Sequence, residues 1–569
     1  MDAECGSMGP RHMAMASFLF ALLVGSFYSS PGLADTQVTG TSVAGAPEQV
    51  EAGRRMYRDG ILPSGEVMSG IVQGDIALSG KQVICGHCHR RSGIGAPEGQ
   101  NVARPVTGDV LYMPLRLPTS KPPLAPELRP AYTDTTLRRA IREGIGADGT
   151  PLGPLMPRYP LSDEQVDTLI AYLKTLSTKP DPGVTDRDIH FATIVDESVD
   201  AGTRKAFLDV FETYFAQKNT ETRHETQRAE HAPWHESWTM ETYRKWVPHV
   251  WELKGPQASW PDQLQTLYDQ QPVFAVVSGV VEGSWQPIHA FCERSSLPCL
   301  FPVTDLPVVD ELDFYSMYFS RGMALEADAI AEHLAHSGLL TGPLIQVYRR
   351  GDPRAEVAAA TLRTRIEKAG GQMRDLVFDG PDTASEGFWR SSLAAAAGGT
   401  AVLWVEPEAL GDALAAPGDA GPQRIYLSTT LYGVEPKKIA AGSFGRVFLV
   451  HPQEMPDART VRLARSTGWF KAKRIYDPKA LQVQANVFFA LKIAGDAVKT
   501  IRGYYLRDYM IERIEHMMDN ALYTSVYPSV TLSPGQRFVS KGAYIAQFSA
   551  QDGGKLIAVT PWRFPDSNQ

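Results

Sequence analysis

The feature that most constrains this chain is a pentapeptide at residues 85–89, which reads Cys85-Gly86-His87-Cys88-His89. A bare C-x-x-C is shared by redox, zinc and disulfide sites, but a histidine directly after it is typical of c-type haem attachment. Two thiols one helical turn apart reach the two vinyl groups of a porphyrin, and the next imidazole lies under the iron. The pentapeptide therefore predicts one covalently bound haem c, with thioethers from Cys85 and Cys88 and with His89 as an iron ligand.

The N-terminus carries the pattern of an export signal. Arg11 and His12 precede an apolar run over residues 13–28, and Pro31-Gly32-Leu33-Ala34 offers a small-residue cleavage site. This predicts a signal peptide over residues 1–34, and retention as an N-terminal anchor is the alternative. No later stretch is long and apolar enough to span a bilayer. Because haem c is attached outside the cytoplasm, we expect a periplasmic protein from a Gram-negative bacterium.

A second axial ligand is expected from Met156, which lies in a loop rich in proline and glycine that cannot be helical. A thioether opposite histidine raises the iron potential into the range used for electron transfer. Directly after this loop, Ser162 and Gln165 form a capping box that opens an amphipathic helix. The other methionines of the region, which compete with Met156 for this role, are Met56, Met68 and Met113.

With these motifs in place, residues ~48–178 resemble the monohaem class I cytochrome c family. The resemblance rests on a Gly53-x-x-x-Tyr57 first helix, the C-x-x-C-H motif, the Met-Pro loop and the closing helix. It implies an all-α domain over residues 48–178, ligation by His89 and Met156, and a crossing of the first and last helices near Leu169 and Tyr172. Long insertions at 60–81 and 114–130 depart from the family pattern, and we expect both to wrap the haem edge.

The rest of the chain is long enough for a second and larger domain. Residues 179–187 begin with two prolines and a glycine directly after a helix, which is typical of a linker. The 569 residues carry a net charge of −8 and show no block of like charge. Composition and charge therefore give no reason to expect a nucleic-acid partner.

Beyond the linker, short apolar strands alternate with amphipathic helices, which predicts parallel sheets covered by helices on both faces. The pattern runs from a strand at 189–195 to one near 303 and restarts with a strand at 344–348. Two successive halves of this kind resemble the type I periplasmic binding proteins of the leucine/isoleucine/valine-binding group. The segments 273–279, 297–302 and 535–548 carry the resemblance. It implies a multidomain chain whose residues 188–565 form a two-lobed α/β domain; another doubly wound domain is the alternative.

In that family a ligand binds between the lobes at the carboxyl ends of strands. The resemblance makes Ser278, Gly279, Thr304 and Asp305 candidates for lining a solute site, although each fits an ordinary turn or cap equally well. The sequence shows no counterpart of the acidic clamp that amino-acid binders use. The expected partners are a small-molecule solute of unidentified class, an ABC permease and a redox partner protein.

Two local features remain. Cys292 and Cys299 bracket a helix end and the next strand, and in an oxidising compartment they predict a disulfide, with two buried thiols as the alternative. A stretch rich in tryptophan and histidine is interpreted as an inserted flap, in which Pro233 argues against a metal site built on one helix. Its aromatic and imidazole residues are Trp234, Trp238, Trp246, Trp251, Trp260, His231, His235 and His249.

Three classes of function fit these patterns. The sequence favours an electron-transfer cytochrome fused to a solute-binding-like domain. The alternative is the solute-binding component of an importer or sensor in which the haem domain is an accessory. An enzyme with an open haem site is less favoured, because an iron held by His89 and Met156 has no vacancy for substrate. No nucleophile–base pair or carboxylate dyad is readable elsewhere, and no catalytic residue is predicted.

Overall fold

The structure of the chain is a computed structural model. It describes residues 46–98, 101–116, 128–231, 244–308, 313–380, 385–410, 413–414, 421–437, 439–501, 503–520 and 523–565. The predicted signal peptide at 1–34 lies outside these residues, as do Trp234, His235, Trp238 and most of the 114–130 insertion. The described residues belong to one compact unit that begins at Gly45.

A small N-terminal domain of short elements precedes the linker. In chain order it contains α1 (Pro47–Asp59), β1 (Ser69–Val72), β2 (Ile76–Ser79), α2 (Cys85–His89), β3 (Pro97–Glu98), β4 (Asn101–Val102), α3 (Gly108–Leu111), β5 (Leu115–Arg116), β6 (Leu128–Arg129), α4 (Asp134–Glu143) and α5 (Asp163–Leu173). The strands form three antiparallel pairs, and β1 and β2 make a hairpin within the 60–81 insertion. Ser162 caps α5 with Gln165 in the predicted capping box.

The first and last helices of the small domain cross where the resemblance implied. At Gly53 a Cβ would lie 2.3 Å from the carbonyl oxygen of Thr168 and 2.7 Å from Cβ of Tyr172. Only glycine therefore allows α1 to approach α5 this closely. The rings of Tyr57 and Tyr172 pack beside the crossing with their centroids 5.3 Å apart. This crossing is the centre of the small domain's own apolar core.

The large domain begins with a five-stranded parallel sheet, which we call lobe 1. Its elements are β7 (Asp188–Asp196), α6 (Ala201–His231), β8 (Lys245–Leu253), α7 (Trp260–Gln270), β9 (Ala275–Val277), α8 (Gln286–Arg294), β10 (Cys299–Leu300) and β11 (Ser316–Met317). The strand order β11-β10-β9-β7-β8 reverses direction between β7 and β9. Such a reversal marks the switch point at which doubly wound sheets bind ligands.

The interpretation of the Trp-rich stretch as an inserted flap is wrong for its described part. Trp246 and Trp251 lie on β8, which pairs with β7 in parallel along its whole length. Both indole rings are buried, and Trp246 belongs to the main core of lobe 1. Pro248 is tolerated in this strand because β8 lies at the edge of the sheet.

The chain then builds a seven-stranded second sheet, lobe 2, and returns to lobe 1 before completing it. The elements are α9 (Met323–His336), β12 (Leu344–Arg349), α10 (Pro353–Lys368), β13 (Arg374–Phe378), α11 (Glu386–Ala395), β14 (Thr400–Trp404), α12 (Pro407–Leu410), β15 (Arg424–Ser428), α13 (Thr429–Tyr432), β16 (Val447–His451), α14 (Pro456–Arg462), α15 (Ala464–Ala472), α16 (Leu481–Ile501), α17 (Arg507–Asn520), β17 (Tyr544–Ser549) and β18 (Lys555–Ala558). The strand order is β13-β12-β14-β15-β16-β17-β18, and the last two strands are antiparallel.

Three chain segments join the two lobes. The first follows β11, the second follows β16, and the third lies at residues 540–542. Between the second and third segments, α15, α16 and α17 pack into the core of lobe 1. After the third segment, β17 and β18 belong to lobe 2. The predicted two-lobed α/β fold is confirmed. Among the described residues, no helix combines the length and apolar character that a membrane crossing requires.

Candidate functional site

The C-x-x-C-H motif forms the short helix α2, which carries both thiols and the imidazole on one turn. Cys85 and Cys88 are three positions apart in the sequence and therefore lie on the same side of the helix. The helix ends at Arg90, whose backbone adopts a positive φ of 62°. The hydroxyl of Tyr57 donates to the carbonyl of Arg90 at 2.7 Å, which ties this turn to α1.

The His89 imidazole is oriented by a single backbone carbonyl. Its Nδ1 lies 2.9 Å from the carbonyl oxygen of Arg104, so an N–H at Nδ1 donates to that oxygen. The ring therefore keeps Nε2 as the nitrogen with a lone pair, which is the arrangement that metal-binding histidines use. Burial lowers the pKa of His89, which favours the neutral ligand form.

Met156 differs in exposure from each of its three competitors. Met56 and Met68 are fully buried in the core of the small domain, whereas Met113 is 62% exposed. Met156 is half-buried and follows a turn in which its N–H donates to the carbonyl of Gly153 at 3.2 Å. Its loop continues to Tyr159, which lies beside the Cys85 thiol.

Tyr159 connects the Met156 loop to the haem motif. Its hydroxyl donates to the carbonyl of Val83 at 2.7 Å and lies beside the Cys85 thiol, and burial raises the pKa of Tyr159. The loop also pairs with the β1 strand, because Arg158 and Ile71 exchange backbone hydrogen bonds at 2.9 Å. Tyr159 therefore holds the end of the Met156 loop beside Cys85.

The residues around the motif fit a haem. Of the 11 large apolar side chains that are most exposed among the described residues, six belong to the small domain. The two thiols and the oriented imidazole of α2 are the donor set of a covalent haem. The six side chains are those of Val67, Ile71, Ile76, Val102, Met113 and Leu155.

The predicted solute-lining residues lie together at the carboxyl ends of β9 and β10, but they differ in exposure. Ser278 is fully buried with φ of 59°, and its hydroxyl donates to the carbonyl of Phe301 at 3.2 Å. Gly279 is buried as well, and a Cβ there would lie 2.6 Å from the Trp285 ring. The Thr304 hydroxyl accepts the Leu306 N–H at 3.1 Å. The contacts of Ser278, Gly279 and Thr304 are therefore made within lobe 1.

Asp305 is the member of this group that faces solvent. Asp305 is exposed, yet desolvation by the surrounding protein raises the pKa of its carboxyl group. The charge of Arg354 in lobe 2 acts in the opposite direction and lowers that pKa. Its carbonyl accepts the N–H of Met323, the first residue of α9, at 3.1 Å. Asp305 therefore lies at the mouth between the lobes, next to the first connecting segment.

The sequence reading missed Glu326, which is 1% exposed in the first turn of α9. Burial raises its pKa to about 8, although hydrogen bonds from Ser428 and Thr430 oppose the shift, and the charge of Asp305 adds to it. Glu326 and Asp305 thus bring two carboxyl groups together between the lobes. No sequence signal marks Glu326, because a glutamate in the first turn of a helix is an ordinary stabilising residue.

Cys292 and Cys299 are both buried and lie side by side. In the structure they are free thiols, and burial together with the neighbouring Cys299 raises the pKa of Cys292 well above its usual value. The disulfide between them stays a prediction. A nearby group of His289, Glu293 and Asp313 has ligand atoms within 4.8 Å of one another. Glu293 accepts three backbone N–H groups, so its oxygens already have partners.

Comparison with known proteins supports the reading of the small domain. Residues 79–177 match the cytochrome c family, which agrees with the predicted resemblance. No curated protein matches the chain.

Solved structures are similar to the larger part of the chain. A fatty acid ABC transporter substrate-binding protein from Thermomonospora curvata is 16% identical with a TM-score of 0.45, and the match covers 68% of this chain and 95% of that one. A solute-binding protein of an R. palustris ABC transporter, in complex with benzoate, is 12% identical with a TM-score of 0.47, covering 67% and 98%. A leucine-binding protein from Thermotoga maritima is 12% identical with a TM-score of 0.45, covering 66% and 99%.

Proposed function

We propose that this chain is an exported, periplasmic c-type cytochrome that transfers single electrons through one covalent haem and carries a solute-binding domain. Cys85 and Cys88 form the thioethers, and His89 and Met156 ligate the iron. The observation that carries the proposal is the orientation of His89, whose Nδ1 is held by the Arg104 carbonyl while Nε2 stays available. When bound, the haem supplies one-electron redox chemistry, and the chain supplies its ligands and apolar surroundings.

The large domain is proposed to bind a small solute between its lobes. Each lobe has a switch point in its parallel strand order, between β7 and β9 and between β12 and β14. Ligands of doubly wound sheets bind at the carboxyl ends of strands beside such points. Asp305 and Glu326 are the groups that we expect a solute to approach, with a redox protein and an ABC permease as further partners.

The two activities are proposed to take place at opposite ends of lobe 1. The small domain packs at the amino ends of the strands, where Arg91 contacts Tyr315 just before β11. Gly183 of the linker likewise lies against Val273 and Phe274, just before β9. The solute cleft lies at the carboxyl ends, and the nine-residue strand β7 spans about 30 Å. This separation favours electron exchange with a partner protein over chemistry on the solute.

The second candidate function is that of an importer or sensor component in which the haem domain is an accessory. The observation that favours it is the same separation, because the small domain leaves the cleft between the lobes free for a permease or receptor. A thermal shift that grows with the concentration of one solute supports this function. If the haem potential does not change when that solute binds, the haem domain is an accessory. A potential that changes on binding indicates that the haem and the solute site are coupled.

The test of the haem proposal is the covalent cofactor itself. The full chain is exported in a host that matures c-type cytochromes, and its intact mass and visible spectrum are measured. We expect one haem per chain in the wild type and in Cys292→Ala, and none held covalently by both thioethers in Cys85→Ala. A wild-type chain without covalent haem, or a Cys85→Ala chain with an unchanged haem attachment, contradicts the proposal.

A further inference from the structure

The small domain meets lobe 1 through the residues that directly follow the haem motif. The Arg91 Nε donates to the carboxylate of Asp508 at 3.1 Å, and the Ser92 N–H donates to Oε1 of Glu512 at 2.8 Å. Asp508 and Glu512 are one turn apart on α17. We call this contact of Arg91 and Ser92 with Asp508 and Glu512 the junction. The junction thus connects the large domain to Ser92, which lies three residues after His89 in the sequence.

Glu512 directs its whole carboxyl group at Ser92. Its second oxygen lies 2.7 Å from the Ser92 hydroxyl, and both residues are buried, with exposures of 9% and 5%. Burial raises the pKa of Glu512 to about 8, and the charges of Asp508 and Glu515 add to the shift. The Ser92 hydroxyl donates to Oε2 and the Ser92 N–H donates to Oε1, so both carboxyl oxygens of Glu512 accept hydrogen bonds from Ser92.

Ser92 belongs to the loop that orients His89. The Gly95 N–H donates to the carbonyl of His89 at 2.9 Å, and the Val106 N–H donates to the carbonyl of Gly93 at 2.7 Å. The first bond closes the turn that contains Ser92, and the second joins that turn to Val106. Two residues before Val106 is Arg104, whose carbonyl accepts the hydrogen bond from Nδ1 of His89. A displacement at Ser92 is therefore transmitted to the carbonyl that sets the imidazole orientation.

We propose that Glu512 is a positioning residue for the haem ligand His89, acting from the large domain through Ser92 and the backbone hydrogen bonds of Gly93 and Gly95. The proposal rests on the proposed function, because it takes His89 as an iron ligand. Hydrogen-bond partners behind a metal ligand fix its orientation and basicity and thereby tune the metal. The haem potential is then a property of the fused chain and not of the small domain alone.

The test compares two substitutions of Glu512 in the full-length haem-loaded protein. Glu512→Gln keeps an acceptor oxygen for the Ser92 N–H and places an amide N–H group beside the Ser92 hydroxyl oxygen, whereas Glu512→Leu removes both hydrogen bonds. We expect Glu512→Leu to change the equilibrium constant for haem reduction about tenfold, which is about 59 mV for one electron. We expect Glu512→Gln to stay within about twofold of the wild type at pH 7. Ser92→Ala, which removes only the hydroxyl, should change it about threefold.

Gln484→Leu is the matched control. Gln484 is a fully buried polar residue on α16 of the same lobe, and it likewise satisfies backbone groups of a neighbouring segment, including the Asp477 N–H at 3.1 Å. Its loss should destabilise the lobe without moving the potential. A second readout is hydrogen exchange of the Gly95 and Val106 amides, which should accelerate in Glu512→Leu and not in the control.

The outcomes separate this proposal from the one on which it rests. A wild-type chain without haem overturns both. A haem-loaded wild type whose potential and amide exchange are unchanged by Glu512→Leu and Ser92→Ala overturns the positioning role alone. A Gln variant that shifts the potential as far as the Leu variant also overturns it, since that variant keeps a hydrogen-bonding partner for each of the two Ser92 groups.

Discussion

Replacing Gly53 by alanine should destabilise the small domain, although alanine is the better helix former. The added Cβ would meet the Thr168 carbonyl oxygen at 2.3 Å and Cβ of Tyr172 at 2.7 Å. The first of these atoms belongs to the backbone of α5, so it cannot rotate away. The two helices must therefore separate to admit one methyl group.

The magnitude follows from opposing contributions to the free energy of unfolding. Overpacking of a tight contact costs about 1–3 kcal/mol. Separation of α1 from α5 weakens the Tyr57–Tyr172 ring pair, whose worth is about 0.5–1.5 kcal/mol. Alanine returns up to ~1 kcal/mol of helix propensity. We therefore expect a net loss of about 1–3 kcal/mol in the small domain.

The assay is urea unfolding of the haem-loaded protein followed by haem absorbance, which reports on the small domain. Gly468→Ala serves as the control, because Gly468 is an exposed glycine inside α15 with nothing within 4 Å of its Cβ position. It should be neutral or stabilise lobe 1 by up to ~1 kcal/mol. A Gly53→Ala protein that is as stable as the wild type would refute the close crossing of α1 and α5.

Two further predictions concern titration and oxidation. The carboxyl of Glu512, with its pKa raised to about 8, is protonated in the folded chain and ionised in the unfolded chain between about pH 5 and 8. Stability should therefore fall as pH rises through this window, which urea unfolding at several pH values measures, and Glu512→Gln should flatten the profile. Its charged neighbours, Asp508 and Glu515, add to the shift. Because the Cys292 and Cys299 thiols lie together in a protein expected in an oxidising compartment, we predict a disulfide. Alkylation of the unfolded chain without reductant, followed by mass analysis, should find neither thiol modified. Full alkylation of both thiols would contradict the disulfide.

Local signals predicted most of the small domain. The capping box at Ser162 depends on neighbours within one turn. The C-x-x-C-H motif encodes its own geometry through helical spacing. The Arg104 carbonyl that orients His89 was not predictable, because any residue supplies a carbonyl and only the fold selects which one.

Long-range contacts were beyond the sequence pattern. The alternation of strands and helices indicated two lobes, but the edge strand β8 was interpreted as a flap because its two tryptophans, its proline and its histidine obscure the strand pattern. The junction joins Ser92 to Glu512 across 420 residues of sequence. No local pattern distinguishes Glu512 from a solvent-exposed glutamate of a helix, and its burial follows only from the packing of the two domains.

The measurement that tests the account most directly is the haem reduction potential of Met156→Ala beside Met113→Ala. Both methionines precede a proline in the small domain, but Met156 is half-buried and Met113 is exposed. Loss of a thioether ligand lowers the potential of a His–Met haem. We predict a lower potential and an altered ferric spectrum for Met156→Ala alone. An unchanged Met156→Ala protein, or the same changes in Met113→Ala instead, would contradict the ligand set on which the electron-transfer role rests.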